Sequence, residues 1–199
     1  PGRMNVFDEH PFKVIMDYGH NAHAVGVMAD LAARLDVHGK RTVVLSAPGD
    51  RRDEDILAIA KAVAGRFDNY ICRRDDSLRG RDGDEIPQML FRALVANGVD
   101  ADKIQRIPDE QEAIDTALKM SQHGDLLLIF ADALARSWKQ VTKYRPATSD
   151  SLQNAVKRAP PVLAATEETV GGPLSDASLE ASGFVRDERG LRFVKDSED

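Results

Sequence analysis

The sequence predicts an α/β fold: a doubly wound, mostly parallel sheet with helices on both faces, followed by an irregular C-terminal extension. Two observations predict this organisation. Along residues 11–145, short apolar runs alternate with amphipathic stretches of helical length, which is the pattern of consecutive β-α-β units. From residue 146 onward, Pro-Pro, Gly-Gly-Pro and many Ser, Thr and Ala residues indicate a connector. We therefore expect one domain at residues 1–145 and an extension at residues 146–199.

Each element follows from a local pattern. The run at residues 12–17 is mostly apolar and precedes an amphipathic stretch, and this order repeats until residue 143. Because crossovers between parallel strands are right-handed, the repeat predicts a Rossmann-like layered sheet. Residues 183–194 place apolar pairs on either side of Arg-Asp-Glu-Arg-Gly, which predicts a short β-hairpin. The predicted strands are residues 12–17, 42–46, 69–72, 103–107 and 126–131, and the predicted helices are residues 21–35, 52–67, 86–97, 110–121 and 134–143.

Charge and cysteine content limit the classes of function. The net charge of -6 and the pI of about 5.4 argue against a general nucleic-acid or membrane surface. Cys72, the single cysteine, lies in a strand-like run and is expected to be a small buried residue in a reducing compartment. Because the start shows no secretory signal, we expect a cytoplasmic location. The first residue is Pro1 instead of Met, which we interpret as a chain cut from a longer one or a processed start.

The first candidate site is the loop at residues 17–22, which has the sequence Asp-Tyr-Gly-His-Asn-Ala. In a doubly wound sheet, ligands meet the loops at the carboxyl ends of the strands. An acid that ends a buried strand can hold hydroxyl groups or a metal-bound water, and the imidazole of His20 can donate to a phosphate. The alternative is a helix cap, in which Asn21 is the N-cap and His20 is merely exposed. The residues alone leave both interpretations open.

The second candidate site is the loop at residues 48–55, Pro-Gly-Asp-Arg-Arg-Asp-Glu-Asp, which opens a predicted helix. Acids in a first helical turn are favoured by the helix dipole, so capping explains much of this string. Arg51 and Arg52 oppose that dipole, which favours a further role. Neither G-x-G-x-x-G nor G-x-x-x-x-G-K-[ST] occurs in the chain. An enzyme of this type that uses a nucleoside triphosphate therefore needs its phosphate loop from another domain.

Three segments together resemble the C-terminal domain of the Mur ligase family. They are Pro-Gly-Arg at residues 1–3, Asp-Tyr-Gly-His-Asn at residues 17–21 and Gly-Asp-Arg-Arg-Asp at residues 49–53. The family has a Gly-Arg motif before the first strand, a D-Y-[AG]-H-[NH]-P motif after it and a G-D-R-D segment after the next strand. The resemblance covers roughly residues 1–145 and implies an ATP-dependent amide ligase that works through an acyl phosphate. Ala22 stands where the family has proline, and residues 131–136 lack the Gly-Lys-Gly-His-Glu string common in Mur enzymes.

Within the family, further segments are similar to the cyanophycin synthetases. These are PGRMN at residues 1–5, PGDRRDEDI at 48–56, DDSLRGR at 75–81, RSWKQ at 136–140 and the terminal RDERGLR. The similarity implies a module that adds arginine to the side-chain carboxylates of polyaspartate, the product being cyanophycin. It also implies ATP and Mg2+ as cofactors, with the phosphate loop and most magnesium ligands supplied by a central domain. An upstream ATP-grasp module in the same polypeptide and a homo-oligomer are implied as well.

The resemblance also implies roles for individual residues. Arg3 would approach the nucleotide phosphates and ribose, and Asp17 would bind ribose hydroxyl groups. Tyr18 would lie near the adenine, while His20 and Asn21 would face the phosphates. Arg3 and His20 are the two residues implied in catalysis, since an arginine supplied by a closing lobe stabilises phosphoryl charge only in the closed state.

The charged loop at residues 73–81 is the candidate site for the incoming amino acid. An enzyme that selects arginine needs carboxylates to pair its guanidinium group. Asp75 and Asp76 match the first two positions of the Asp-Asn-Pro-Arg motif with which diaminopimelate-using Mur enzymes recognise their amino acid. Arg79 or Arg81 would hold the substrate α-carboxylate, and Asp132 is a further acidic candidate. The alternative is a solvated loop in which these acids and arginines neutralise one another.

Two other assignments remain open from the sequence. The first is the equivalent lobe of a peptidoglycan Mur ligase or a folylpolyglutamate-type ligase, against which PGDRRDEDI and RSWKQ argue. The second is a non-catalytic, Rossmann-like binding domain that shares these loops. A phosphate loop encoded upstream of Pro1 would favour a ligase over the binding domain.

Overall fold

Eight strands form one large sheet and a hairpin in the computed structural model, which describes residues 4–146, 184–187 and 190–193. The strands are β1 (Asn5–Phe7), β2 (Lys13–Asp17), β3 (Arg41–Leu45), β4 (Asn69–Cys72), β5 (Ile104–Arg106), β6 (Leu126–Phe130), β7 (Phe184–Asp187) and β8 (Gly190–Phe193). The large sheet has the order β1-β2-β6-β3-β4-β5. All neighbouring strands from β2 to β5 are parallel, and β1 pairs with β2 in the antiparallel direction. The predicted α/β class and mostly parallel sheet are confirmed.

Helices cover both faces of this sheet, as the sequence predicts. They are α1 (Ala22–Arg34), α2 (Asp53–Val63), α3 (Glu85–Ala96), α4 (Glu110–Met120) and α5 (Leu134–Lys143). The first three pack against one face and the last two against the other. Alternate residues of β6 serve the two faces: Leu128 packs with the first three helices and Ile129 with the last two. This alternation explains why the central strand is apolar throughout.

The sequence predicts the terminal hairpin but not the first strand. The edge strand β1 is not predicted, because three residues are too few to show an alternating pattern. The hairpin is confirmed, since β7 and β8 pair in the antiparallel direction. Residues 147–183 of the predicted extension lie outside the described residues. Within the described ranges, no helix is both long and apolar enough to cross a membrane.

The parallel arrangement brings the candidate loops to one edge of the sheet. The loops after β2, β3, β4 and β6 all leave from carboxyl ends of strands that run in the same direction. Cys72, at the end of β4, is fully buried, and this burial raises the pKa of its thiol. The predicted structural role of this cysteine is thus consistent with its environment.

Two glycine substitutions test the packing of this layer in the 199-residue chain. Gly26→Ala should raise the free energy of unfolding by about 0.5–1 kcal/mol, because a Cβ atom there would meet only the Ala62 Cβ atom at 4.0 Å. Gly49→Ala should lower it by about 1–3 kcal/mol, because its Cβ atom would lie 2.2 Å from the Leu78 carbonyl oxygen. Urea unfolding measures both, and equal effects of the two substitutions would contradict this packing.

Candidate functional site

Asp17 connects the first loop to the chain that precedes β1. Its Oδ2 atom accepts the Met4 N–H at 2.7 Å, and its Oδ1 atom accepts the Gly19 N–H at 2.7 Å. The residue is 8% exposed. Met4 has a positive φ of 49°, an uncommon conformation for a residue with a side chain. The carboxylate of Asp17 therefore determines the path of the chain immediately after Arg3, which itself lies outside the described residues.

The rest of the first loop combines a helix cap with an exposed aromatic ring. The Oδ1 atom of Asn21 accepts the Ala24 N–H at 2.9 Å, so Asn21 is the N-cap of α1. Tyr18 is 44% exposed, and its ring centroid lies 5.4 Å from that of His20. The Nδ1 atom of His20 lies 3.3 Å from the Tyr18 carbonyl oxygen. Tyr18 and His20 thus stand together on the loop surface, while Asn21 has a structural role whatever else it contacts.

Arg81 is the main connection between the second loop, at residues 48–55, and the charged loop at residues 73–81, which is the third loop. Its guanidinium group donates to the Gly49 and Arg51 carbonyl oxygens, each at 2.8 Å, and pairs with Asp53 at 2.7 Å and Glu85 at 2.5 Å. The side chain of Arg81 is only 17% exposed. Its hydrogen-bonding capacity is directed into the protein, and it holds the loop at residues 48–53 against α3.

Arg79 makes fewer contacts than Arg81. It pairs with Asp50 at 3.0 Å, approaches Asp75 at 3.9 Å and remains 41% exposed. The hydrogen bond and charge of Arg79 lower the pKa of Asp50. Of the two arginines considered for the substrate α-carboxylate, Arg79 is therefore the more accessible.

Arg73 is completely buried at the carboxyl end of β4. Its Nη1 atom lies 2.9 Å from an oxygen of Asp132, and its Nη2 atom lies 2.9 Å from Glu110. It also donates to the backbone carbonyl oxygens of Phe130 at 2.7 Å and Arg74 at 2.6 Å. A buried guanidinium group requires this many partners, because removing a charge from water is unfavourable by several kcal/mol.

Glu110 continues this network towards α5. One carboxylate oxygen accepts the Asp132 N–H at 2.8 Å, and the other accepts the Ser137 hydroxyl at 2.6 Å. Arg136 lies 3.0 Å from Glu110 and 2.7 Å from Asp76. Burial raises the pKa of Glu110, but Arg73 and the hydrogen bonds from Ser137 and Asp132 outweigh it and leave the pKa below its ordinary value. Burial also raises the pKa of Asp132, but the hydrogen bond and the charge of Arg73 outweigh it and leave that pKa below its ordinary value.

The acidic residues of the candidate amino-acid site meet at Asp132. The Asp76 N–H donates to Asp132 Oδ2 at 3.1 Å. Asp75 accepts the Ser77 N–H at 3.1 Å and is nearly buried, and this burial is the main cause of its raised pKa. The side chain of Asp76 is 45% exposed. The structure thus brings Asp75, Asp76 and Asp132 together, and only Asp76 among them is widely accessible.

Sequence reasoning did not assign roles to Arg73, Glu110 and Ser137. Arg73 was placed only in the charged loop at residues 73–81, and Glu110 only at the start of the predicted helix at residues 110–121. A weak signal was present, because Arg73 directly follows an apolar strand and extends its two-residue alternation into the sheet interior. Among the described residues, no group of three or more His, Cys, Asp or Glu side chains is arranged to hold a metal ion.

The sequence that carries these loops is similar to the sequences of known ligases. A family model described as the Mur ligase, glutamate ligase domain matches residues 2–133. This chain belongs to the Mur ligase family. Cyanophycin synthetase from Geminocystis herdmanii is 38% identical over 144 residues, which are 72% of this chain and 16% of that protein. A UDP-N-acetylmuramoyl-L-alanyl-D-glutamate–2,6-diaminopimelate ligase from Aquifex aeolicus is 31% identical over 129 residues, 65% of this chain and 26% of that protein.

Solved structures show the same fold. A UDP-N-acetylmuramoyl-L-alanyl-D-glutamate–2,6-diaminopimelate ligase superposes with a TM-score of 0.55 at 21% identity, covering 71% of this chain and 31% of that one. A folylpolyglutamate synthase from Mycobacterium tuberculosis, complexed with ADP and AMPPCP, gives a TM-score of 0.53 at 22% identity, covering 73% of this chain and 33% of that one. The chain therefore spans a minor part of each of these ligases.

The hydrogen bonds of Asp17 predict a stability effect. Asp17→Ala should lower the free energy of unfolding of the 199-residue chain by about 1–3 kcal/mol, because two backbone N–H groups lose their acceptor. Asp36→Ala is the control: the side chain of Asp36 is 80% exposed, and its removal should change stability by less than about 0.5 kcal/mol. Chemical unfolding compares the two variants, and an unchanged stability in Asp17→Ala would contradict the role of these bonds.

Proposed function

We propose that this chain is the C-terminal, nucleotide-closing lobe of a cyanophycin-synthetase-type ligase. The complete enzyme would use ATP to convert an aspartate side-chain carboxylate of polyaspartate into an acyl phosphate. The amino group of arginine would then attack the acyl carbon, forming an amide and releasing phosphate. The observation that carries the proposal is the acid-rich turn at Asp75 and Asp76, beside Asp132, in a chain 38% identical to a cyanophycin synthetase.

The first loop supports the nucleotide side of this proposal. Tyr18 presents an exposed ring that an adenine base can stack on, and His20 lies beside it. Each oxygen of Asp17 accepts one backbone N–H, and a carboxylate oxygen has a second acceptor position for a ribose hydroxyl group. Because Asp17 holds the chain next to Arg3, closure of the lobe would carry Arg3 towards the phosphates together with this loop.

The third loop, at residues 73–81, supports the amino-acid side of this proposal. The four carboxyl groups of Asp75, Asp76, Glu110 and Asp132 outnumber the three guanidinium groups of Arg73, Arg79 and Arg136, so the cluster favours an additional cation. Asp76 is the accessible member and would pair the substrate guanidinium group through its Oδ1 atom, while Arg136 holds its Oδ2 atom. The more accessible arginine, Arg79, would then hold the substrate α-carboxylate, with Arg81 keeping the loop in place.

The remaining parts of the enzyme would come from outside this chain. As the resemblance to the family implies, the proposal places most Mg2+ ligands in the central domain, together with the phosphate loop. Magnesium would neutralise phosphate charge there. Residues 1–145 would form the closing domain and residues 146–199 an extension. The upstream ATP-grasp module, polyaspartate and a homo-oligomeric assembly are further partners in this proposal, which involves neither nucleic acid nor membrane.

The 199-residue chain by itself should not turn over ATP. Most phosphate contacts belong to the central domain in this proposal, so binding of ATP to the chain alone should be weak. Incubation with radiolabelled ATP, arginine and polyaspartate should give no phosphate release and no arginine incorporation. Incorporation by this chain alone would refute the proposed division of the site between domains.

In the complete ligase, Asp76→Ala should raise the KM for arginine at least about tenfold, equivalent to about 1.4 kcal/mol. The KM for ATP should change little, because Asp76 lies on the amino-acid loop. Asp82→Ala, at an exposed acid directly after this loop, is the control and should behave as the unmodified enzyme.

Offering arginine, diaminopimelate and glutamate in parallel tests the substrate itself. Incorporation of arginine alone supports the proposal. Preference for diaminopimelate or glutamate would instead assign the chain to a peptidoglycan or folylpolyglutamate-type ligase.

A further inference from the structure

A buried ionic network lies beneath the candidate amino-acid site. Arg73 is fully buried and contacts both Asp132 and Glu110. Glu110, also buried, receives hydrogen bonds from the Asp132 backbone and the Ser137 hydroxyl. The network therefore connects the ends of β4 and β6 with the beginnings of α4 and α5, the four elements around the site.

The network is costly as a source of stability alone. Taking ionised groups out of water is unfavourable by several kcal/mol for each ion, and well-packed apolar side chains of similar size often give equal or greater stability. One donor atom of Arg73, its Nε–H, is buried without a partner, which adds to this cost. Apolar side chains in these positions would not, however, orient the carboxylates that the network holds.

The held carboxylates belong to the amino-acid loop. Asp132 uses one oxygen, Oδ2, both for Arg73 at 2.9 Å and for the Asp76 N–H at 3.1 Å. Glu110 fixes the backbone of Asp132 and also receives Arg136, the partner of Asp76. The position of the Asp76 backbone is thus set by Asp132, and the position of its carboxylate by Arg136. Both of these residues are bound to Glu110.

We propose that Arg73 and Glu110 are positioning residues for the incoming amino acid, which hold Asp76 and Asp132 in the orientation that binds it. Neither residue touches the substrate in this proposal, because both are buried beneath the loop. The proposal rests on the proposed function for the identity of the amino acid. The dependence of the Asp76 turn on Glu110 is the same whichever amino acid binds.

Glu110→Gln tests this dependence because it keeps the shape of the side chain but removes the charge that pairs Arg73. In the 199-residue chain, hydrogen exchange of the Asp76 amide should become at least about tenfold faster, since its acceptor Asp132 is less firmly held. Glu112→Gln is the matched control, an exposed glutamate two positions along the same helix. It should leave the Asp76 amide unchanged. Equal exchange at Asp76 in both folded variants overturns the proposal.

Kinetics of the complete ligase provide the second readout. Glu110→Gln should raise the KM for arginine about tenfold and change the KM for ATP less than twofold. A purely structural role would lower the amount of folded enzyme without separating the two constants. If arginine is incorporated normally and its KM is unaffected by Glu110→Gln, the positioning role is wrong while the proposed function stands. If the exchange effect is found but arginine is not a substrate, only the proposed substrate is wrong.

Ser137→Ala provides the test if Glu110→Gln does not fold. It removes the 2.6 Å hydrogen bond to Glu110 without removing a charge. Exchange of the Asp76 amide should then become about threefold faster. Ser121→Ala, which removes a hydroxyl group that donates to the end of α4, is its control and should have no effect at Asp76. An unaltered Asp76 amide in the folded Ser137→Ala variant contradicts the proposal.

Discussion

The arrangement of this site depends on the ion pairs that the buried guanidinium group of Arg73 makes with Glu110 and Asp132. A charge in the interior has to be neutralised and hydrogen-bonded at most of its polar atoms, so its neighbours have little freedom in where they lie. Two of these neighbours are backbone carbonyl oxygens, at Phe130 and Arg74. Neutralisation of one buried cation therefore fixes the ends of two parallel strands and the beginning of a helix at the same time.

The other loops of this edge are held on the same principle, by charged side chains that bind backbone atoms. Asp17 accepts two backbone N–H groups, and Arg81 donates to two backbone carbonyl oxygens. Loops have few backbone partners of their own, and such side chains supply the missing ones. The charged residues of this edge consequently divide into those turned inward, which shape the loops, and those left accessible, such as Asp76 and Arg79.

The membership in the Mur ligase family and the geometry of the loops contribute different information. Similarity to known ligases accounts for the fold and for the presence of motifs along residues 2–133. It does not distinguish the two arginines of the DDSLRGR segment, which are equivalent as letters. The structure distinguishes them, because Arg81 is enclosed by Gly49, Arg51, Asp53 and Glu85, whereas Arg79 pairs mainly with one exposed aspartate.

The sequence by itself determined the order of strands and helices, the terminal hairpin and the loops that surround the site, because these depend on local periodicity and on the direction of parallel strands. The sequence did not predict the edge strand β1, because three residues show no period and the pairing of β1 with β2 is a contact between separate segments. Only the tertiary structure decided which charged residues are buried. Arg73 and Arg74 are adjacent and chemically identical, yet Arg73 is enclosed by Glu110 and Asp132, which lie 37 and 59 positions along the chain. The burial and the charge pairing of a side chain depend on such distant neighbours, so a local sequence pattern does not determine them.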